Sequence, residues 1–312
     1  MIDVPESFER TTLAREGADG APWLSGLPGL VGELCARWEL RPGPGVTHGG
    51  VGLVVPVRRG DGSPAVLKVS FPHPGNVHEP DAFEAWRGNG AVRLYARDDA
   101  SFAMLLERAG TGTLAEHPDG DTVVTVAAGL ARRLAVPVPA GGPALPRLSA
   151  RAARWERELR ADAAELSHGM SGYAVDAAVA TARELGREQP ESLVHGDLHG
   201  RNILPAEREP WLAVDPKGLV GDPAYDVGAL LKSRVPSILP LADPAAGVRR
   251  VLDLFADTAE LDPGRVRRWA QFHIVRAAFW GRRHGFRVTR GGELDAAVVT
   301  RAADSLAHLL AS

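Results

Sequence analysis

The densest group of reactive side chains in the chain is Leu193-Val-His-Gly-Asp-Leu-His-Gly-Arg-Asn-Ile-Leu204, followed by Trp211-Leu-Ala-Val-Asp215. Two apolar pairs, Leu193–Val194 and Ile203–Leu204, bracket a polar, glycine-containing loop, the pattern of short buried strands holding a rigid turn. The loop offers a carboxylate at Asp197 and an amide oxygen at Asn202, and Asp215 ends the next strand. Hard oxygen donors of this kind suit Mg²⁺, which takes few protein groups and fills its shell with water and phosphate oxygens. Asp-x4-Asn with a strand-borne Asp behind it is the arrangement that phosphoryl transfer uses. One Asp accepts the proton of the attacking hydroxyl, while the Asn and the second Asp hold magnesium against the phosphates. Taken alone, Asp197 and Asn202 also fit a capped turn; Asp215 in register behind them favours the chemistry.

These residues must be placed by the elements around them. The first 25 residues are polar and punctuated by glycine, and read as a loosely held arm. Leu27 to Trp38 carries apolar residues at helical spacing. Short apolar runs of strand length follow at Leu53–Val57, Ala65–Phe71, Ala91–Tyr95 and Ala103–Glu107, with a helix near His78–Trp86. Residues 1–108 therefore read as a small lobe: an N-terminal helix and a five-stranded, mainly antiparallel sheet. From Thr122 the texture is helical: Thr122–Leu134, Ala150–Glu165, Tyr173–Leu185, Pro223–Lys232, Ala245–Glu260, Pro263–Gly281 and Leu294–Leu310. A Pro/Gly-rich loop at Val136–Pro146 breaks that series. Residues 109–312 read as a larger helical lobe, so the fold class is α+β.

Composition sets outer bounds. The chain has 312 residues, 45% hydrophobic and 24% charged, which excludes collagen-like and wholly disordered classes. A net charge of −3 gives no reason to expect nucleic acid. The single Cys35 forms no internal disulfide, no apolar run reaches about 18 residues, and the acidic N-terminus lacks a signal core. The expectation is a cytoplasmic monomer or homodimer with no membrane partner. Only three of the 36 basic residues are Lys, at positions 68, 217 and 232. A lysine kept in a chain that prefers Arg draws notice, since the two differ in shape and phosphate geometry.

His195-Gly-Asp-Leu-His-Gly-Arg-Asn202, together with Val214-Asp-Pro-Lys-Gly-Leu-Val-Gly-Asp-Pro-Ala-Tyr-Asp226, resembles the aminoglycoside phosphotransferase superfamily. Glu209-Pro-Trp-Leu-Ala-Val-Asp-Pro216 and Val220-Gly-Asp-Pro223 are most similar to its streptomycin 6-phosphotransferase and hydroxyurea phosphotransferase branch. The resemblance implies a bilobal protein-kinase-like fold and ATP- and Mg²⁺-dependent transfer to a hydroxyl of a small molecule. It implies Asp197 as catalytic base and Asn202 and Asp215 as magnesium ligands. His195 then orients the loop, and His199 either walls the site or packs the loop. Asp226 accepts backbone N–H bonds of the loop, and Asp222 caps a helix or meets substrate. Lys217 either stands beside the transferred phosphate or is a surface charge. The sequence departs from protein kinases at Asp215-Pro-Lys-Gly218, and six residues between Asp215 and Asp222 leave no room for a long activation segment. That disfavours a protein kinase; a phosphoesterase would need more metal-ligand spacing than the loop shows. A silent pseudokinase is disfavoured by the presence of all four expected polar residues.

Lys68 lies in the apolar run Ala65–Ser70, where an unpaired ammonium is costly. Phosphates and a helix carboxylate would satisfy it, the arrangement of the third strand of kinases. Its partner is Glu79 or Glu84, with Glu79 closer to the family position. Thr47-His-Gly-Gly-Val-Gly-Leu53 is the phosphate-covering loop, with Gly49, Gly50 and Gly52 allowing close backbone approach. Leu105–Ala109 is the expected hinge, where backbone groups of Glu107 and Ala109 read the base, adenine of ATP or guanine of GTP. For the acceptor, Asp262–Arg301 holds nine Arg against three acids, and Glu156, Glu158, Asp162 and Glu165 alternate with Arg. A polycationic acceptor needs the opposite field, so a small neutral or weakly charged acceptor is expected, with streptomycin retained. Trp280 and His273 are candidate pocket walls. A metabolic sugar or amino-sugar kinase is the alternative.

Overall fold

In the computed structural model, which describes residues 2–138, 141, 144–285 and 296–311, the chain divides into two units. The first holds residues 1–111 and 205–212, the second residues 112–204 and 213–312.

Helices α1 (Glu6–Glu16) and α2 (Gly20–Arg37) open the first unit, so the loosely held arm is corrected. Phe8 is fully buried and meets Trp23 edge-on with ring centroids 5.9 Å apart; Trp23 meets Phe71 likewise at 5.3 Å. Helix α1 is otherwise polar, and Leu13 is 43% exposed, so no periodic stripe marks it. One aromatic anchors it. The strands β1 (Arg41–Pro42), β2 (Thr47–His48), β3 (Gly52–Arg58), β4 (Pro64–Ser70), β5 (Leu94–Asp98) and β6 (Ala103–Glu107) form an antiparallel sheet. Its order is β1-β3-β4-β6-β5, with β2 also on β3. There are six strands rather than five, because the glycine-rich approach to β3 folds back on it as two short stubs. The run expected at Ala91–Tyr95 starts later, since Ala91 and Val92 are buried ahead of β5 and the register shifts between Leu94 and Ala96.

The period of two decides which residues meet the core. Leu53, Val55, Val57, Ala65, Leu67 and Val69 pack with Leu27, Val31 and Leu34 of α2. Lys68 and Ser70 consequently lie on the opposite face of β4. Helix α3 (Glu79–Trp86) follows β4 and supplies Glu79.

The second unit is mainly helical: α4 (Gly120–Leu134), α5 (Ala152–Glu165), α6 (Gly172–Glu184) and, after the site, α7 (Val227–Ile238), α8 (Pro244–Ala259), α9 (Pro263–His284) and α10 (Ala296–Ala311). Side chains of Asp119, Ser171, Asp243 and Asp262 accept first-turn N–H groups and start α4, α6, α8 and α9. Trp269 of α9 is fully buried, ringed by Trp155, Tyr225 and Phe272 at 6.1, 5.2 and 5.4 Å. The helix expected from Pro223 begins as a 3-10 turn, Pro223–Asp226, before α7. The start of the helix expected at Leu294, and residues 139, 140, 142 and 143 of the Val136–Pro146 loop, lie outside the described residues. Between α6 and α7 come the strands β7 (Leu193–Val194), β8 (Ile203–Pro205), β9 (Trp211–Ala213) and β10 (Leu219–Val220), paired β7 with β10 and β8 with β9. No described helix is long and apolar enough to cross a membrane.

Candidate active site

Antiparallel pairing of Val194 with Leu219 sets the chain after β7 against the chain before β10, and the Lys217 N–H donates to the His195 carbonyl at 2.7 Å. The His195 ring is fully buried. Its Nε2 lies 2.9 Å from the Val214 carbonyl and so carries the hydrogen, while Nδ1 accepts the Asp197 N–H at 3.3 Å. Burial drives its pKa down to about 4 against the pull of the Asp197 charge, so the ring is neutral. It therefore ties the Asp197 backbone to the residue preceding Asp215.

The N–H groups of His195 and Gly196 donate to the two oxygens of buried Asp226 at 3.0 and 2.7 Å. Burial raises that carboxyl to about 7, with the two N–H bonds pulling the other way. Gly196 has φ +81°, and a Cβ there would stand 2.7 Å from Leu219 Cδ1. Asn202 closes the loop: its Nδ2 donates to the Asp197 carbonyl at 3.0 Å, and its own carbonyl accepts the Val214 N–H at 2.9 Å. With the amide nitrogen spent on backbone, Oδ1 is the end that suits a cation. Asp215 adopts φ +58°, a left-handed conformation costing a non-glycine residue roughly 1–3 kcal/mol. Asp197 keeps 37% of its side chain exposed, with His199 Nε2 3.8 Å from Oδ1. Burial lowers the His199 pKa while Asp197 opposes it.

Asp222 is spent on structure. Its oxygens accept Ala224 N–H at 3.0 Å, Trp269 Nε1–H at 2.6 Å and the Arg265 guanidinium. Lys217 is half-buried, within electrostatic reach of His195. Trp280 is not core: it is 45% exposed and stacks on His284 at 5.0 Å. His273 is buried, edge-on to Tyr225 at 4.3 Å, with Nε2 unpartnered among the described residues.

The arginine excess of the C-terminal region is largely consumed by pairing. Arg268 meets Glu184, Arg282 meets Asp304, Arg283 meets Asp162 and Glu165, and Arg267 donates to the Leu310 carbonyl. Arg287, Arg290, Glu293 and Asp295 lie outside the described residues. The acids of α5 are engaged too, Glu156 by Arg183 and Glu158 by Arg154. Among the described residues Lys232 of α7 makes no ion pair; it is exposed and interacts with the Asp197 charge and with Arg276, a placement the sequence does not show. Surrounding protein lowers its pKa, and its solvent access limits the effect. The scarcity of lysine was the signal that marked it.

In the first unit, Lys68 is 5% exposed and donates to Glu79 Oε1 at 2.5 Å, while Glu84 pairs with Arg97 at 3.1 Å. Gly52 faces Ser70 across the β3–β4 pair, and a Cβ there would lie 2.7 Å from Ser70 Oγ and 3.3 Å from Lys68 Cε. Glu107 spends its N–H on the Arg93 carbonyl (2.8 Å) and its carboxylate on Arg208 (2.9 and 3.0 Å), a clamp not foreseen from sequence. The clamp outweighs burial and holds the carboxyl below its ordinary pKa. Gly110 N–H, just past Ala109, donates to the Pro205 carbonyl at 2.7 Å.

The fold is shared with the crystal structure of macrolide 2′-phosphotransferase MphH from Brachybacterium faecium, at a TM-score of 0.54 and 16% identity, covering 90% of this chain and 97% of that one. This is a protein-kinase-like fold, with an antiparallel-sheet N-terminal unit and a larger helical C-terminal unit. Residues 37–285 match the family described as aminoglycoside/hydroxyurea antibiotic resistance kinase. The chain is 37% identical over 281 residues to streptomycin 6-kinase of Streptomyces griseus, covering 89% of this chain and 91% of that one. It is 36% identical over 285 residues to hydroxyurea phosphotransferase of Kitasatospora aureofaciens, covering 90% and 80%. The chain belongs to the aminoglycoside/hydroxyurea antibiotic resistance kinase family and is a small-molecule phosphotransferase.

That family implies ATP and Mg²⁺, and the residues present fit both. Ser70 Oγ is buried without a partner among the described residues, beside Lys68 and under the Gly52 position that a side chain would fill, which suits a phosphate. No cluster of three acidic, His or Cys ligands occurs among the described residues. Oxygen donors such as the Asn202 amide and the Asp215 carboxylate suit a magnesium ion that fills its shell with phosphate oxygens.

Proposed function

We propose that this chain transfers the γ-phosphoryl group of ATP to a hydroxyl of a small neutral acceptor, with Asp197 as base. The observation that carries the reading is the state of Asp197. Its backbone is tied by the His195 ring and the Asn202 amide, while its carboxylate stays open. A fixed backbone with an accessible carboxylate is what positioning a hydroxyl and taking its proton requires.

Lys68, oriented by Glu79, holds nucleotide phosphates, and the N–H groups of the Gly49–Gly52 loop cover them. The Glu107 carbonyl and Ala109 N–H meet the nucleotide base. Asn202 Oδ1 and the Asp215 carboxylate would hold Mg²⁺, which would supply positive charge to offset that of the phosphates. Asp197 orients the acceptor hydroxyl and accepts its proton as the oxygen attacks. His195 and Asp226 hold the loop backbone and do not meet substrate. We place the reaction in the cytoplasm, where ATP is supplied.

Lys232 and Arg276 support a neutral acceptor, since among the described residues the α5 carboxylates that would receive a polycation, Glu156, Glu158, Asp162 and Glu165, are already paired with Arg. Of the acceptors named for the relatives, hydroxyurea is neutral and streptomycin is a polycation. The test is mass spectrometry of hydroxyurea, streptomycin, other aminocyclitols and simple sugars incubated with the protein, ATP and Mg²⁺. A phosphate mass gain on a neutral compound, with streptomycin weakly modified, is expected. Strong modification of streptomycin alone would overturn the acceptor assignment; no gain on any compound despite ATP binding would overturn phosphoryl transfer.

A further inference from the structure

Helix α1 lies ahead of the residues that define the family, yet its side chains reach the Gly49–Gly52 loop. Two contacts are made to that loop or its flank. The Arg15 guanidinium donates to the Gly50 carbonyl, and Ser7 Oγ lies 2.8 Å from His48 Nε2. The other ring nitrogen, His48 Nδ1, lies 3.0 Å from the Gly49 carbonyl. A carbonyl only accepts, so Nδ1 carries the hydrogen, and in the neutral ring Nε2 accepts the Ser7 hydroxyl. Phe8 fixes the register of these contacts. It is fully buried and packs on the His48 ring at 5.2 Å. Glu16 in turn pairs with Arg15.

The consequence follows from the trans peptide, in which C=O and N–H of one unit point in opposite directions. The carbonyls of Gly49 and Gly50 are drawn to His48 and Arg15. The N–H groups of Gly50 and Val51, in the same two peptide units, must therefore face away from those side chains. The Gly49 N–H closes the turn on the Gly52 carbonyl at 2.8 Å. Glycine's backbone freedom lets such peptide units flip, presenting carbonyl oxygens in place of N–H groups. Carbonyl oxygens repel phosphate; aligned N–H groups bind it.

We propose that α1 is a positioning element for the nucleotide. Through Arg15 and the Ser7–His48 pair it holds the two peptide units of the glycine loop with their N–H groups presented to phosphate. Arg15 and Ser7 are positioning residues, acting through the loop backbone. This rests on the reading of that loop as the phosphate cover.

The test uses the full chain, titrated calorimetrically with a non-hydrolysable ATP analogue and Mg²⁺, followed by steady-state kinetics. Arg15 is exposed, so Arg15→Met leaves the fold intact and removes only the donors. It is expected to weaken analogue binding and raise the KM for ATP about fivefold, roughly 1 kcal/mol at 1.4 kcal/mol per tenfold. The kcat at saturation, the acceptor KM and the melting temperature stay near wild type. Arg15→Lys, which keeps a donor, recovers part of the loss, and adding Ser7→Ala to Arg15→Met deepens it. A purely structural role would move the melting temperature and not the nucleotide KM. Wild-type affinity in Arg15→Met overturns the inference alone. Failure of the wild-type chain to bind the analogue overturns the reading of the loop and the inference with it.

Discussion

A neutral imidazole buried between two backbone segments responds to acid in a definite direction. The His195 pKa of about 4 lies below the 6.5 of an ordinary histidine. Between pH 6.5 and 4 the unfolded chain takes up a proton that the folded chain refuses, so this residue's contribution to stability falls as pH drops through that window. Burial pushes His273 the same way. Asp226, raised to about 7, acts in the opposite sense: its protonated form favours the fold, and its contribution grows as pH falls from 7 towards 4. The separable quantity is the difference between wild type and His195→Gln, whose amide keeps one donor and one acceptor but does not titrate. In urea unfolding at pH 7 and pH 5, the wild type is expected to lose about 2 kcal/mol more than the variant. Equal losses would contradict the neutral, buried assignment. At this scale the sequence named the polar residues of the loop, because their types and spacing are the chemistry. It left Glu79 against Glu84 open, since the angle of α3 to the sheet decides that pairing and no local pattern reports it. The same holds for Asp222, whose partners Trp269 and Arg265 are distant in sequence.

The elements around the loop are small, and their precision comes from backbone pairing rather than mass. β7 and β10 are two residues each, yet their register sets His195 against Lys217 and Gly196 over Leu219. Gly196→Ala adds a Cβ at φ +81° and 2.7 Å from Leu219 Cδ1. Strain and overpacking together predict a loss of roughly 2–4 kcal/mol, with kcat falling more than the KM for ATP rises. Chemical denaturation and kinetics on the same preparation check this; an unchanged kcat would separate the loop backbone from Asp197. Amphipathic helices such as α4, α8 and α9 were legible because their apolar spacing repeats over several turns. Helix α1 was not, because Phe8 alone anchors it. The charge balance of the C-terminal helices was legible only as a total for a related reason: a count of Arg and acids cannot see that Arg282 and Arg283 are already paired across helices.

Across the whole molecule, the proposed chemistry is divided between the two units. Lys68, Glu79 and the glycine loop belong to the first; Asp197, Asn202 and Asp215 belong to the second. Nucleotide capture and proton transfer are then separable by mutation, and Asp197→Asn is the substitution that separates them. It preserves size and leaves the Asp197 main-chain bonds to His195 and Asn202 in place, while removing the proton acceptor. The most direct measurement is ADP formation dependent on acceptor, alongside calorimetric ATP-analogue affinity, for wild type and Asp197→Asn. The expected result is turnover reduced roughly 100- to 10,000-fold, the usual worth of a general base, with nucleotide affinity within about twofold of wild type. Near-normal turnover in Asp197→Asn would contradict the account at its centre.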